Sequence, residues 1–329
     1  MTSGLLFPPC GYEFDTHTDI QNEFIKQIEK QGIDEAIEWL KTVKNGELSY
    51  PRALVFRWNG SPGDEFEISK NKDFSNSRHI KCDLPSCEID NLEIGCEYFW
   101  RVNKGDVFNF HTQDNSFRFI RIEGALNVRD LGGKNIKQGI IYRGSDIDTT
   151  YKISDTGRKT FCDVLNIKSE IELREDADSK KESAAGPKII RKYLPYRPYE
   201  EVFEEKHKRE ICEIMKFLAD ENNYPVYVHC LGGADRTGMI AFYLRALAGE
   251  CDEDIYIDYE LTSLSTYAYG LTEGAGKDGF RSRKSIVDFL DMLDVYAPGK
   301  SLSEKVKSFL MDCGVSNEVM NRIINNIKR

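Results

Sequence analysis

The sequence predicts an α/β domain, preceded by a small β-sandwich-like domain and a pair of N-terminal helices. Three observations carry this expectation. Apolar spacing is helical up to about residue 50, strand-like from about 51 to 115, and alternates between strand and helix thereafter. Turn-rich runs such as Asn59-Gly-Ser-Pro-Gly63 punctuate the middle stretch. Finally, Val226–Val228 reads as a short buried strand that enters a helical pattern at Thr237–Leu247 through a glycine-bearing loop. A chain of 329 residues has room for about two domains. The expected divisions are 1–50, 51–115 and 116–329.

The elements follow in chain order. Ile20, Phe24 and Ile28 mark one helical face behind a Thr18 or Asp19 cap, with Gly32 as its stop. Ile33, Ala36, Leu40 and Val43 mark a second face that ends at Gly46. Ala53–Trp58, Glu65–Ile68 and Tyr98–Val102 have the period of strands. Within the α/β stretch, strands are expected at 139–142, 168–173, 189–194 and 226–229. Lys208–Leu218 carries Ile211, Ile214, Met215 and Leu218 on one face, as a core helix does. Three further helices are read at Ser285–Leu293, Leu302–Met311 and Asn317–Ile327. Ser301 and Glu304 have capping-box spacing, and Gly314 is a C-terminal stop.

The chemistry concentrates in His229-Cys-Leu-Gly-Gly-Ala-Asp-Arg-Thr-Gly238. Gly232 and Gly233 let the backbone turn its N–H groups inward. The loop also opens onto a helix N-terminus, where free N–H groups and the macrodipole favour an anion. A loop made of Leu231, Gly232, Gly233, Ala234 and Gly238 is thus suited to phosphate. A thiol attacks only as its thiolate, a form that the helix terminus and Arg236 favour at Cys230. Arg236 has the planar fork for two equatorial phosphate oxygens. Thr237 has a hydroxyl to offer the sulfur, and His229 is placed to orient the loop. Two carboxylates compete for the general acid: Asp235 inside the loop, read either as the acid or as a residue that orients Arg236 or the loop amides, and Glu172 at the end of a neighbouring strand. No metal or cofactor is implied.

His-Cys-x-x-Gly-x-x-Arg-Thr-Gly resembles the signature of the cysteine-dependent protein tyrosine phosphatases. Further stretches resemble the bacterial branch of that family: Ala125-Leu-Asn-Val-Arg-Asp-Leu-Gly-Gly133, Ile140–Ser145, Ile171–Arg174 and Asp258–Ser263. Their order and spacing cover the chain from about residue 117 onward. The resemblance implies a central sheet flanked by helices, a phosphocysteine intermediate on Cys230, and Asp235 as a candidate acid. It also brings in Arg129 and Asp130 as accessory residues. Two departures stand out. Ala234 replaces a lysine common in the branch, which counts against phosphoinositide substrates, and Glu172 replaces an aspartate.

Asn91–Val102 resembles the late strands of a fibronectin type III or related immunoglobulin-like sandwich, with Trp58 as a core tryptophan. Two other stretches bear on specificity. Tyr193–Tyr199 occupies the place of the mobile acid loop of many tyrosine phosphatases. There Tyr196 and Tyr199 are read either as flanking an aromatic substrate or as core and surface, and Arg197 as touching phosphate or solvent. Leu264–Lys284, rich in Ser, Tyr and Gly, is read as a solvated linker or a segment bordering the site.

Composition bounds the partners. The chain is 40% hydrophobic and 30% charged, an ordinary globular balance. A net charge of −10 argues against nucleic acid or an anionic membrane as partner. Nine cysteines at irregular spacing give neither a disulfide framework nor a zinc pattern, and Cys82, Cys87 and Cys96 are read as packing residues. No run is long and apolar enough to span a bilayer, and the N-terminus lacks the features of a signal peptide, so cytoplasmic residence is expected. The leading expectation is a tyrosine or dual-specificity phosphatase acting on phosphoproteins, with the β domain free to dock a partner protein. A phosphoinositide or small phosphoester phosphatase is the alternative, ahead of a non-catalytic phosphate-binding scaffold or a rhodanese-like sulfur transferase.

Overall fold

Alternation of apolar and polar residues in the middle stretch produces short strands that share one aromatic core. The computed structural model describes residues 6–179, 181–270 and 283–329. Its chain divides into two units, one of residues 1–19 with 51–120 and the other of residues 20–50 with 121–329.

In the first unit, β1 (Tyr12–Phe14), β2 (Leu54–Arg57), β3 (Glu65–Ser69), β4 (Arg78–Lys81), β5 (Ser86–Ile89), β6 (Glu97–Val102) and β7 (Phe108–Thr112) form two sheets. One runs β1-β7-β6-β3-β4, and the other pairs β2 with β5. Phe56, Trp58, Phe66, Trp100 and Phe110 come from both sheets and pack into one cluster with Cys82, an apolar environment. Phe56 meets the Trp100 ring edge-on at 5.3 Å, a geometry aromatic quadrupoles favour. Cys87 and Cys96 sit at the margin of that cluster. Burial pushes the Cys87 thiol up to about 12. A two-residue strand, β8 (Arg118–Phe119), ends the unit.

The second unit begins with α1 (Asp19–Gln31) and α2 (Ile33–Val43), which bury Phe24, Ile28, Ala36 and Leu40 along the expected faces. Its sheet has three parallel pairings. Strand β11 (Ser169–Glu172) lies between β12 (Ile190–Tyr193) and β13 (Val226–His229), and β13 also pairs with β10 (Ile141–Gly144). Strand β9 (Arg129–Asp130) is antiparallel to β10. Register then brings the C-terminal ends together: Gly144 and Glu172 both lie opposite His229, and Tyr193 lies opposite Glu172. That edge is where α/β sheets receive ligands.

Helices α3 (Asp155–Lys159), α4 (Glu205–Leu218), α5 (Arg236–Ala248), α6 (Asp252–Glu260), α7 (Thr266–Gly270), α8 (Lys284–Asp294), α9 (Leu302–Asp312) and α10 (Asn317–Ile327) complete the unit. Helix α5 is buried on every side, so its apolar residues follow no stripe. It ends on Gly249 in the left-handed conformation, as helices commonly do. Ser301 and Glu304 form the expected capping box at the start of α9. Among the described residues no helix is long and apolar enough to cross a membrane. Of the expected Leu264–Lys284 segment, residues 271–282 lie outside the described residues.

Candidate active site

Strand β13 delivers His229 to the sheet edge, and the chain then loops through Cys230–Asp235 into α5. Cys230 is buried. Three successive carbonyls of the loop are held from outside. The amide of Asp146 donates to Leu231 O at 3.0 Å, Asn127 Nδ2 to Gly232 O at 3.0 Å, and Arg143 Nη2 to Gly233 O at 2.7 Å. In a trans peptide the N–H of the next residue points opposite to the carbonyl. The amides of Gly232, Gly233 and Ala234 are thereby turned away from those donors, toward the loop interior. Gly233 has φ +66°, and a Cβ there would stand 2.4 Å from the carbonyl carbon of Gly144. Only glycine fits.

Behind the loop lies a buried ion cluster. Arg143 Nη1 donates to Asp258 Oδ2 at 2.7 Å, while Arg129 Nε and Arg245 Nη2 both reach Asp258 Oδ1 at 3.3 Å. Arg129 also donates to Asn127 Oδ1, which orients that amide toward Gly232. Arg245 pairs with Glu250 at 2.5 Å. Burial opposes the charge on Asp258, but Arg245, Arg143 and Arg129 outweigh it and hold the carboxyl far below the usual range. Burial and the charge of Arg143 pull Arg129 down to about 9.

The polar side chains at the two ends of the loop differ. Arg236 Nε, Thr237 Oγ1 and both ring nitrogens of His229 are buried with no hydrogen-bond partner among the described residues. Buried polar groups are normally satisfied, so donors left open beside a buried cysteine mark a place for an anion. Leu231 is 37% exposed at the rim, whereas Ala234 is wholly buried. The ring of Tyr267 packs against Gly232, leaving no room for a Cβ, and Gly238 faces the ring of Tyr259.

The two competing carboxylates have unlike surroundings. Glu172 is fully buried, with Oε1 accepting from Arg174 N and Nε at 2.9 Å and Oε2 from Arg174 Nη2 at 2.7 Å and Arg191 Nη2 at 3.3 Å. Its Oε2 stands 3.9 Å from His229 Nδ1. Burial raises the Glu172 carboxyl, but His229 and Arg174 more than offset that and leave it below its ordinary value. Asp235 sits in the loop itself and accepts from the hydroxyl of Tyr199. That hydroxyl also shares a hydrogen bond with Tyr259.

The remaining expected residues fall outside the loop interior. Asp130 braces the Leu131–Gly139 turn, accepting from Gly132 N at 2.8 Å and Gly139 N at 2.6 Å. Arg129 belongs to the cluster behind the loop. Tyr196 is fully buried and donates to the carbonyl of Arg236, so the core reading holds for it. Arg197 pairs with Glu175 at 2.7 Å and Glu201 at 2.8 Å on the surface.

A model described as the tyrosine phosphatase family matches residues 120–328. The chain belongs to the tyrosine phosphatase family. Among curated proteins none matches it. Similar solved structures include the core catalytic domain of the PP-IP phosphatase Siw14 from S. cerevisiae in complex with citrate. It is 16% identical, covers 53% of this chain and 90% of that chain, and has a TM-score of 0.33. Another is the Siw14 catalytic core, 13% identical over 50% of this chain and 93% of that chain, with a TM-score of 0.31.

Sequence reasoning gave no role to Asn127, Arg143, Asp258 or Tyr259 of this phosphatase, and it read Tyr199 as flanking an aromatic substrate or as core or surface, not as a partner of Asp235. Arg143 and Asp258 stand inside stretches that resemble the family, which was the available signal. Asn127 and Tyr259 stand inside such stretches too, and only the bond from Tyr199 to Asp235 had no signal in the sequence.

Proposed function

We propose that this phosphatase hydrolyses phosphotyrosine in proteins, with Cys230 as nucleophile and Asp235 as general acid. The observation that carries the reading is the pair of unpartnered buried donors, Arg236 Nε and Thr237 Oγ1, beside Cys230. Arg236 and the amides of Gly232, Gly233 and Ala234 bind the phosphoryl oxygens and strengthen their hold as charge builds in the transition state. The Cys230 thiolate attacks phosphorus, the S–P bond forms, and the P–O bond to the tyrosine breaks. Asp235 gives its proton to the departing oxygen. Water then attacks the phosphocysteine, the Asp235 carboxylate takes the water's proton, and the S–P bond breaks to release phosphate. Thr237 donates to the leaving sulfur.

Asp235 is preferred over Glu172 because Glu172 is already an ionised partner of two arginines and has no proton to give. Its role is to hold Arg174 and face His229. Ala234 adds no cation to the loop, which favours a single phosphomonoester over a multiply phosphorylated ring. The two sheets of the first unit, with their shared aromatic core, support a fibronectin type III-like module that docks a partner protein.

The test is turnover of phosphotyrosine peptide, phosphoserine peptide and phosphoinositide by the protein and by Cys230→Ser, with chelator present. Phosphotyrosine turnover that disappears in the variant is expected. Turnover that survives in Cys230→Ser, or a preference for phosphoinositide, contradicts the reading.

A further inference from the structure

We propose that Tyr199 is a positioning residue for Asp235, holding the acid in place from a strained backbone. The inference rests on the reading of Asp235 as general acid. Tyr199 has φ +63°, in the left-handed region that bulky residues rarely adopt. Such a conformation persists only where the surroundings over-determine it, and it clusters at functional sites. Here the strained residue aims its hydroxyl at the one carboxylate of the phosphate loop.

The hydrogen bonds define the arrangement. The hydroxyl of Tyr199 donates to Asp235 Oδ1 and is linked to the hydroxyl of Tyr259 on α6. Three residues earlier, Tyr196 donates to the carbonyl of Arg236. One short segment therefore grips both the side chain of Asp235 and the main chain of its neighbour. Segment 193–199 leaves the end of β12, which register places beside Glu172, itself opposite His229 at the same edge of the sheet. It contains no carboxylate of its own before Glu200. Its contribution is to fix a carboxylate that the loop provides.

Titratable side chains face Asp235 among the described residues. Tyr199 and Tyr259 bond to it or to one another, and Tyr196 interacts with Asp235, Cys230, Arg236 and Tyr259. Burial, then the Cys230 charge, pushes the Tyr196 hydroxyl well above the usual tyrosine range, so it remains a donor throughout. After Asp235 has given its proton to the leaving oxygen, the Tyr199 hydroxyl donates to the carboxylate that results. The same contact orients that carboxylate toward the water of the second step.

The experiment compares the full-length protein with Tyr199→Phe, Tyr199→Gly and Asp235→Asn. Two substrates are used: p-nitrophenyl phosphate, whose leaving group needs little protonation, and phenyl phosphate, whose leaving group needs much. Tyr199→Phe is expected to lower kcat/KM on phenyl phosphate by about tenfold or more and to leave kcat/KM on p-nitrophenyl phosphate almost unchanged, a part of the acid's effect of about 10²–10⁴. The alkaline limb of its pH–rate profile moves to higher pH, because a donor to the carboxylate has gone. Tyr199→Gly relieves the backbone without supplying a hydroxyl, so it shows the same selective loss.

Equal losses on both substrates with an unmoved alkaline limb overturn the proposal, since a structural role predicts that pattern. Wild-type selectivity in Tyr199→Gly overturns it as well. Asp235→Asn separates the two ideas. If it shows no leaving-group dependence, the acid reading falls. If it does and Tyr199→Phe does not, only the positioning role falls.

Discussion

The two sides of the Cys230–Asp235 loop are built on opposite terms. Behind it, Arg129, Arg143 and Arg245 converge on Asp258, and Glu250 takes the remaining fork of Arg245. Inside it, Arg236, Thr237 and His229 keep buried donors open. The rear is a finished network that fixes three carbonyls and, through planar peptides, three amides. The interior is left for a ligand to complete. The lesson is that this fold gives its polar satisfaction to the frame and withholds it from the site.

Breaking the rear should produce the largest effect. Asp258→Asn leaves three buried guanidinium groups short of a carboxylate, and stability should fall by about 3–5 kcal/mol, as for other broken buried pairs. Denaturant unfolding measures this; a loss within about 0.5 kcal/mol, as at ordinary surface positions, would show that the network does not hold the loop. The pH dependence has a definite sign. The folded-state carboxyl is held far below its unfolded value. Its stabilising contribution is thus complete above the ordinary aspartate value of about 3.9 and is lost only as pH falls through the depressed one. Asp258→Asn should lack that acid transition.

A change inside the loop should cost activity and spare stability. Arg236→Lys keeps a charge but loses the fork, and kcat should drop by about 10²–10³, as when one aligned transition-state donor is removed. Its unfolding midpoint should remain near that of the parent protein. A large stability loss without a catalytic one would reverse the comparison. Gly233→Ala probes the join between the two sides, because the new Cβ strikes the Gly144 backbone. Both activity and stability should fall together in that variant. The smallest effect belongs to the rim. Arg197→Ala removes exposed pairs with Glu175 and Glu201, and stability should change by less than about 1 kcal/mol.

Legibility in the sequence followed the same division. Strand β13, the loop and α5 could be read directly, because apolar runs and glycines record local geometry. The helical faces of α1, α4, α9 and α10 were equally plain, since period and caps are local signals. The rear network was not legible as a network. Arg129, Arg143, Arg245 and Asp258 are scattered over more than a hundred residues, and only the pairing of β9 with β10 and the placing of α5 and α6 against them bring the four together. The aromatic stretch at 193–199 was ambiguous for a related reason. A tyrosine pattern does not tell a substrate wall from a brace, and burial of Tyr196 against the Arg236 carbonyl decided for the brace.

Glu172 teaches the converse. Its position at the end of β11 was foreseen, yet its chemistry depends on Arg174 and Arg191, which already share its proton-accepting capacity. A carboxylate near a phosphate loop is a candidate acid only while it lacks such partners.

The central claim is covalent catalysis by Cys230, and intermediate trapping tests it most directly. Asp235→Asn should slow breakdown of the intermediate, so rapid acid quench during turnover of p-nitrophenyl phosphate is followed by mass analysis of the Cys230 peptide. The account predicts one phosphoryl group on Cys230, absent from Cys230→Ser. Turnover that proceeds with Cys230 unmodified and no burst of nitrophenol would contradict it.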